Sequence, residues 1–410
     1  MKFDLIYLQV LFLFMTKTIM YLYICSLLTI LIGCKNDVQI AQLQYPVYND
    51  TIPHIKPFLS EIEPIDDLEF ANAKNHLINF ANKNWSEKNN VSFLVAKNGQ
   101  IIFENYQGFS NYETKTQITA QTPMHIASVS KVITATAIMI LVDSGRISLD
   151  QKVSSILQSF PYVDVSVRDL LSHRSGLRNY AYFTEEKGIW NRKITLTNAD
   201  ILHLLGSKKV KQDCLANRRF TYCNTNYAIL ALIVEKKVGT DFKTAIQKMI
   251  FEPLGMKNSF VFDEANDKKS VSRSYKGTNV EVGFDYLDAV YGDKNIYSTP
   301  RDLLRFDLAR NSAGFLNPDL RKQIFQGYSN ERKGIKNYGL GIRMINFENG
   351  QNFYFHNGWW HGNTSSYISL QKEKVTIIAL SNKYTTLNYR VRNLAKYFGD
   401  YPFVIKDSVE

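Results

Sequence analysis

The sequence predicts a mixed α/β fold of the α+β type. An antiparallel sheet built from both chain ends is flanked by helices, and a mostly helical lobe is inserted between its strands. Three observations predict it. Two short alternating apolar runs, 91–97 (VSFLVAK) and 100–105 (QIIFEN), are joined by Asn98-Gly99, and Asn-Gly between such runs is a strong hairpin signal. A second antiparallel pair is expected near the other end, in 363–371 (NTSSYISLQ) and 374–382 (KVTIIALSN). Between the two pairs, residues 127–280 follow mostly helical spacing broken by loops, which argues for one insertion and against alternating βα units.

Composition sets the outer bounds. With 410 residues, 45% hydrophobic and 13% aromatic, the chain can bury one large core. Its 21 Gly, 10 Pro and 21% charged residues exclude collagenous, low-complexity and wholly disordered classes. No repeat recurs at solenoid or propeller spacing. The net charge is +11, but acidic residues interleave with the basic ones throughout, so a solvated surface is expected and no nucleic-acid partner.

Residues 1–34 read as a targeting segment. Apolar runs over 5–15 and 19–33 flank Lys17, and the second ends in Leu31-Ile32-Gly33-Cys34 before the polar Lys35-Asn36-Asp37. Read from Met15, the order of cationic start, apolar stretch and cysteine resembles a bacterial lipoprotein signal. That resemblance implies lipidation of Cys34 and an exported protein, lipid-anchored on the periplasmic or cell-surface side of a bacterial membrane. An uncleaved membrane anchor is the alternative, but an unbroken apolar stretch of about 15 residues is short for a span of roughly 20. Residues 35–64 are punctuated by Pro and polar residues and read as a tether. The folded domain is then 65–405.

Within that domain, Leu68, Phe70, Ala73, Leu77 and Phe80 place a helix over 66–84, and residues 386–399 (TLNYRVRNLAKYFG) read as a closing amphipathic helix. Residues 132–145 (VITATAIMILVDSG) are apolar almost all round, the mark of a buried helix, stopped at Gly145.

Ser128 sits at the first turn of that core helix, with Lys131 three residues later. Positions i and i+3 share a helix face, so the amine can reach the hydroxyl. The helix N-terminus also favours negative charge on the oxygen. A desolvated lysine is a workable base for a serine nucleophile. The neighbours of Lys131 are apolar, and a charge inside such a helix needs a reason. A second Ser-x-x-Lys, Ser369 to Lys372, lies in a strand pattern, where residues three apart face opposite ways. It is a decoy.

Ser128-x-x-Lys131 is the first of several segments, spread over about 65–400, by which the chain resembles the serine β-lactamase and penicillin-binding-protein superfamily. The closest branch is that of class C β-lactamases and D-Ala-D-Ala carboxypeptidases. The family's Tyr-x-Asn is matched by Tyr222-Cys223-Asn224 ahead of an apolar helical run, and its Lys/His-x-Gly by His356-Asn357-Gly358. Supporting stretches are 167–177 (VRDLLSHRSGL), 251–260 (FEPLGMKNSF), the turn and helix 296–306 (IYSTPRDLLRF) and a strand at 338–344 (YGLGIRM). Tyr328-Ser329-Asn330 also fits Tyr-x-Asn but has no helix after it, and Lys97-Asn98-Gly99 is the early hairpin turn.

The resemblance implies acyl transfer by Ser128, with proton traffic shared by Lys131 and Tyr222. Substrate would be held by Asn224, His356, Gly358 and Trp359, the backbone N–H groups of Ser128 and Trp359 forming the oxyanion site. Such donors contribute about 3 kcal/mol each. Gly358 would let the strand approach substrate closely. Histidine in place of lysine at 356 would make a weaker, pH-dependent carboxylate anchor. Trp359, Trp360 and His361 either shape an aromatic acyl pocket or pack structurally.

Cys214 and Cys223 either pair as a disulfide that stiffens the Tyr222 loop or remain free thiols. His54, His76, His125, His173 and His203 are expected to be structural or exposed, and no cluster has metal-ligand spacing, so neither metal nor cofactor is expected. The expected function is an extracytoplasmic serine hydrolase taking a small-molecule or peptide ester or amide. A D-Ala-D-Ala carboxypeptidase or β-lactamase is one alternative, and a non-catalytic penicillin-binding-like sensor is the alternative from another class.

Overall fold

The computed structural model describes residues 52–57, 62, 70–207, 210–331 and 334–403. Cys34 and the predicted targeting segment lie outside the described residues, as does the tether except for 52–57 and 62. No helix among the described residues is long and apolar enough to cross a membrane.

The sheet has seven strands: β1 (Val91–Lys97), β2 (Gln100–Gln107), β3 (Lys336–Tyr338), β4 (Arg343–Asn346), β5 (Asn352–Trp360), β6 (Asn363–Leu370) and β7 (Val375–Ser381). Their order is β3-β4-β5-β6-β7-β1-β2, antiparallel at every pairing. Strands from both chain ends therefore meet in one sheet, at Ser92 opposite Leu380. The β1–β2 turn takes positive φ at both Asn98 (52°) and Gly99 (84°), the backbone that an Asn-Gly hairpin requires.

Four long helices frame the sheet: α1 (Ala71–Asn84), α2 (Ser130–Asp143), α3 (Asn224–Val238) and α4 (Pro300–Asn311). One sheet face packs Phe93, Phe353 and Ile377 against Leu77 and Phe80 of α1 and Leu394 near the C-terminus. The other face joins the main core, where α2 is buried continuously from Ser130 to Leu141. The start of α4 is set by Thr299, whose side chain accepts from the Asp302 N–H, and by Pro300 in the first turn.

Three expectations need correction. The closing helix is a 3₁₀ helix, Leu387–Tyr397; its buried residues Asn388, Val391 and Leu394 recur every third position, the 3₁₀ period. The stretch 338–344 is not one strand but the β3–β4 hairpin, with Tyr338 opposite Arg343. Gly341 turns it at φ 83°, where a Cβ would meet the Ala135 methyl at 2.3 Å. The tether is also shorter than expected. Ile55 is 1% exposed, a burial worth roughly 1.5–3 kcal/mol for an isoleucine side chain, and its N–H donates to Met249 O at 2.8 Å.

Candidate active site

The turn bearing Ser128 is strained and tightly held. Ala127, immediately before it, has φ 48°, a left-handed backbone costing roughly 1–2 kcal/mol for a residue with a Cβ. The Ala127 N–H donates to His125 Nδ1 at 3.1 Å. His125 must then carry its proton on Nε2, which donates to Asn295 Oδ1 at 3.0 Å. Burial pushes the His125 pKa down to about 4, so the acceptor nitrogen stays free at neutral pH. Ser128 lies in a 3₁₀ turn, Ala127–Val129, that leads directly into α2.

One helical turn on, the Lys131 side chain is wholly buried. It donates to Ser128 Oγ at 3.1 Å and to the Asp293 carbonyl at 2.8 Å. Its nitrogen lies 5.1 Å from the Tyr222 ring centroid and 5.6 Å from that of Tyr227. Ser128 and Lys131, from one stretch of chain, are thus brought together with Tyr222 from another.

Tyr222 is clamped by His173. The His173 carbonyl accepts from the Thr221 N–H at 2.9 Å, and His173 Nδ1 accepts from the Cys223 N–H at 3.1 Å. The two rings lie 4.4 Å apart. Burial, with Lys131 and Arg343 nearby, holds the His173 pKa well below the ordinary histidine value. It is structural, as expected, but its task is to place Tyr222. Asn224 opens α3. The Tyr222 hydroxyl and Asn224 Oδ1 are both buried without a hydrogen-bond partner among the described residues, an arrangement that leaves polar groups ready for a ligand.

His356 does not fit its expected role as a pH-dependent carboxylate anchor. Its ring is fully buried. Nδ1 donates to the Asn357 carbonyl at 2.8 Å, and Nε2 accepts from the Tyr338 hydroxyl at 3.2 Å. Burial, then the charges of Arg343 and Lys131, keep its pKa well below the ordinary value. Both nitrogens are occupied and the ring is neutral. The cation near this place is Arg343 on β4, whose guanidinium carbon lies 4.7 Å from the Tyr222 ring centroid and has no carboxylate partner among the described residues. It lay unremarked within the segment 338–344; only the β3–β4 turn brings it to the cleft.

Gly358 is needed for an approach to the nucleophile turn more than to substrate. An added Cβ would strike Ser365 Oγ, Ile126 O and Ser128 N. Trp359 is 62% exposed, its indole N–H bonded to the His361 carbonyl. Trp360 packs inward and donates to Asp288 Oδ1 at 2.6 Å.

Cys214 and Cys223 are both free thiols. Cys223 is buried beside Thr225 and Asn226 at the start of α3, and burial pushes its thiol up to about 11. Asp285, Asp288 and His361 bring donor atoms within 4.8 Å of one another. The Asp288 carboxylate already accepts from Trp360, from His361 and from the Asp285 N–H, so this is an internal hydrogen-bond group. The decoys are structural: Tyr328 hydrogen-bonds Arg168, and Ser369 accepts from Asn311.

A family model described as Beta-lactamase matches residues 85–397. Penicillin-binding protein 4* of Bacillus subtilis is 28% identical over 320 residues, covering 73% of this chain and 69% of that relative. D-aminopeptidase of Brucella anthropi is 25% identical over 297 residues, 70% of this chain and 55% of the relative. The chain therefore spans little more than half of the D-aminopeptidase. Among solved structures, the penicillin binding protein from Bacillus halodurans superposes with a TM-score of 0.68 at 22% identity, over 79% of this chain and 99% of that one.

Proposed function

The chain belongs to the beta-lactamase family of serine hydrolases, and from that premise we propose that it cleaves an ester or amide through an acyl-enzyme on Ser128. The observation that carries this reading is the Lys131 side-chain nitrogen, wholly buried yet 3.1 Å from Ser128 Oγ. Ser128 Oγ attacks the acyl carbon and passes its proton to the Lys131–Tyr222 pair, which enters the step one proton short (a neutral Lys131 amine, or a Tyr222 phenolate beside the Lys131 cation) and returns that proton to the leaving group. Water then attacks the same carbon, and the serine is released. Oxyanion charge is taken by the N–H groups of Ser128 and Trp359, and Asn224 orients the substrate amide or carbonyl.

The relatives' names, a penicillin-binding protein and a D-aminopeptidase, support a D-configured or cell-wall-type acyl group. Arg343 favours a second reading, a carboxypeptidase that grips a terminal carboxylate. The Leu31-Ile32-Gly33-Cys34 ending supports an exported, lipid-anchored enzyme. Turnover of a short-chain p-nitrophenyl ester by the protein, abolished in Ser128→Ala, is the expected result. Equal activity in both would remove Ser128 as nucleophile, and a stable adduct without turnover would favour a sensor.

A further inference from the structure

Asp293 and Lys294 are adjacent in sequence and buried behind Lys131, at 1% and 2% exposure. Burying two charges is costly unless each finds partners, and here the partners are specific. Asp293 turns its main-chain carbonyl to Lys131 Nζ, 2.8 Å away, and its carboxylate Oδ2 accepts from the Tyr180 hydroxyl at 2.8 Å. Lys294 Nζ donates to the same Tyr180 hydroxyl at 2.9 Å and to the carbonyls of Leu287 and Val290 at 2.8 and 3.1 Å. It also lies 4.7 Å from the Trp360 ring centroid.

The flanking residues tie this segment to both sides of the nucleophile turn. The Gly292 carbonyl accepts from Thr134 on α2 at 2.7 Å. Asn295 accepts from His125 just before Ser128, and the Ile126 N–H donates to the Ile296 carbonyl at 2.9 Å.

We propose that Asp293, Tyr180 and Lys294 form a buried positioning chain that holds Lys131 against Ser128 and, through its two opposite charges, sets the pH at which the Ser128–Lys131–Tyr222 group becomes competent. This rests on the assignment of Ser128 as nucleophile. The Asp293 carboxylate favours an added proton on that group, and the Lys294 ammonium disfavours it. The sign is the same whether Lys131 or Tyr222 holds the shared proton, because a nearby cation lowers the pKa of an amine and of a phenol alike.

The surroundings of both charges are defined. Burial lowers the Lys294 pKa, Asp293, Asp288 and Asp285 oppose that, and Lys131 adds to it; His361 lies beyond Asp288. The other titratable or charged groups around Lys131 are Tyr222, Tyr227, His173, His356, Cys223 and Arg343, and the test alters none of them.

The experiment compares pH profiles of kcat/KM for p-nitrophenyl acetate, from about pH 5 to about pH 10, in the protein and in Ser128→Ala, Lys294→Met, Lys294→Arg and Asp293→Asn. The acid limb is expected to move up by about one pH unit in Lys294→Met and down by about as much in Asp293→Asn. It should stay in place in Lys294→Arg. Limbs that do not move, or that move in the same direction in both charge-removing variants, overturn the proposal. So does a Lys294→Arg limb displaced as far as that of Lys294→Met, which would make the effect one of packing. Melting temperatures are read in parallel, and either charge-removing variant that folds decides the sign by itself. Full activity in Ser128→Ala would sink the nucleophile and this proposal together; a silent Ser128→Ala with unmoved limbs sinks this proposal alone.

Discussion

Gly358 and Ser128 touch across the gap between the sheet and the nucleophile turn. A methyl group on Gly358 would stand 2.8 Å from the Ser128 nitrogen, 2.6 Å from the Ile126 carbonyl and 2.3 Å from Ser365 Oγ. Two of those three atoms are backbone, so the turn itself would have to shift. Gly358→Ala is expected to lower kcat/KM about 100-fold, the usual cost of a misplaced reacting group, with a melting temperature a few degrees lower. Steady-state kinetics on an ester substrate checks it; unchanged kinetics would show that the contact does not govern the nucleophile.

Arg343 carries a second expectation. If its guanidinium receives a substrate carboxylate, Arg343→Met should cost about 10- to 100-fold in kcat/KM on a substrate ending in a free carboxylate. A neutral ester should be nearly unaffected. The ratio of the two losses is the quantity to measure, and equal losses would assign Arg343 to support of Tyr222 alone.

Three buried, neutral histidines make acid stability a further test. His125 is pushed down to about 4, and His173 and His356 well below their ordinary value, each by burial first. In the unfolded chain they titrate near 6.5, so below that pH the unfolded state binds more protons than the folded one. Stability must therefore fall as pH drops below about 6.5, by about 1.4 kcal/mol per pH unit for each histidine involved, and for His125 the loss continues to about pH 4. Urea midpoints measured from about pH 7 to about pH 5.5 should decline throughout; a flat curve would contradict the burial.

The free thiols predict unequal labelling. Cys214 is half-buried and Cys223 buried with its thiol raised to about 11. Iodoacetamide on the native protein should modify Cys214 readily and Cys223 only after unfolding, since the thiolate is the reacting form. Peptide mapping without reductant checks this, and recovery of a Cys214–Cys223 cross-linked peptide would refute it.

Much of this arrangement was legible in the amino-acid order because it rests on local chemistry. Asn98-Gly99 announces its own turn, and the apolar run after Lys131 announces a buried helix. Ser128 and Lys131 were singled out by spacing and context, and Tyr222 by its resemblance to the family's Tyr-x-Asn. The parts that were not legible depend on distant contacts. His356 read as a weak, pH-dependent carboxylate anchor because nothing local shows that Tyr338 and the Asn357 carbonyl occupy both nitrogens. Asp293 and Lys294 carry no local signal of burial, because their partner Tyr180 is more than a hundred residues away. Arg343 was hidden by a strand pattern that Gly341 breaks.

The pairing of Ser92 with Leu380 also governs when the protein exists as an enzyme at all. During synthesis β1 and β2 emerge first and wait, one edge unsatisfied, until β7 is made. The strand that presses on the Ser128 turn is likewise among the last to appear. The newborn chain thus passes most of its elongation with its nucleophile unassembled, and a product terminated before residue 381 lacks the central partner of its first hairpin. Such sequence-distant closure is slow and leaves strand edges exposed, so the same topology that withholds reactivity until completion also lengthens the time in which an unpaired edge can mispair.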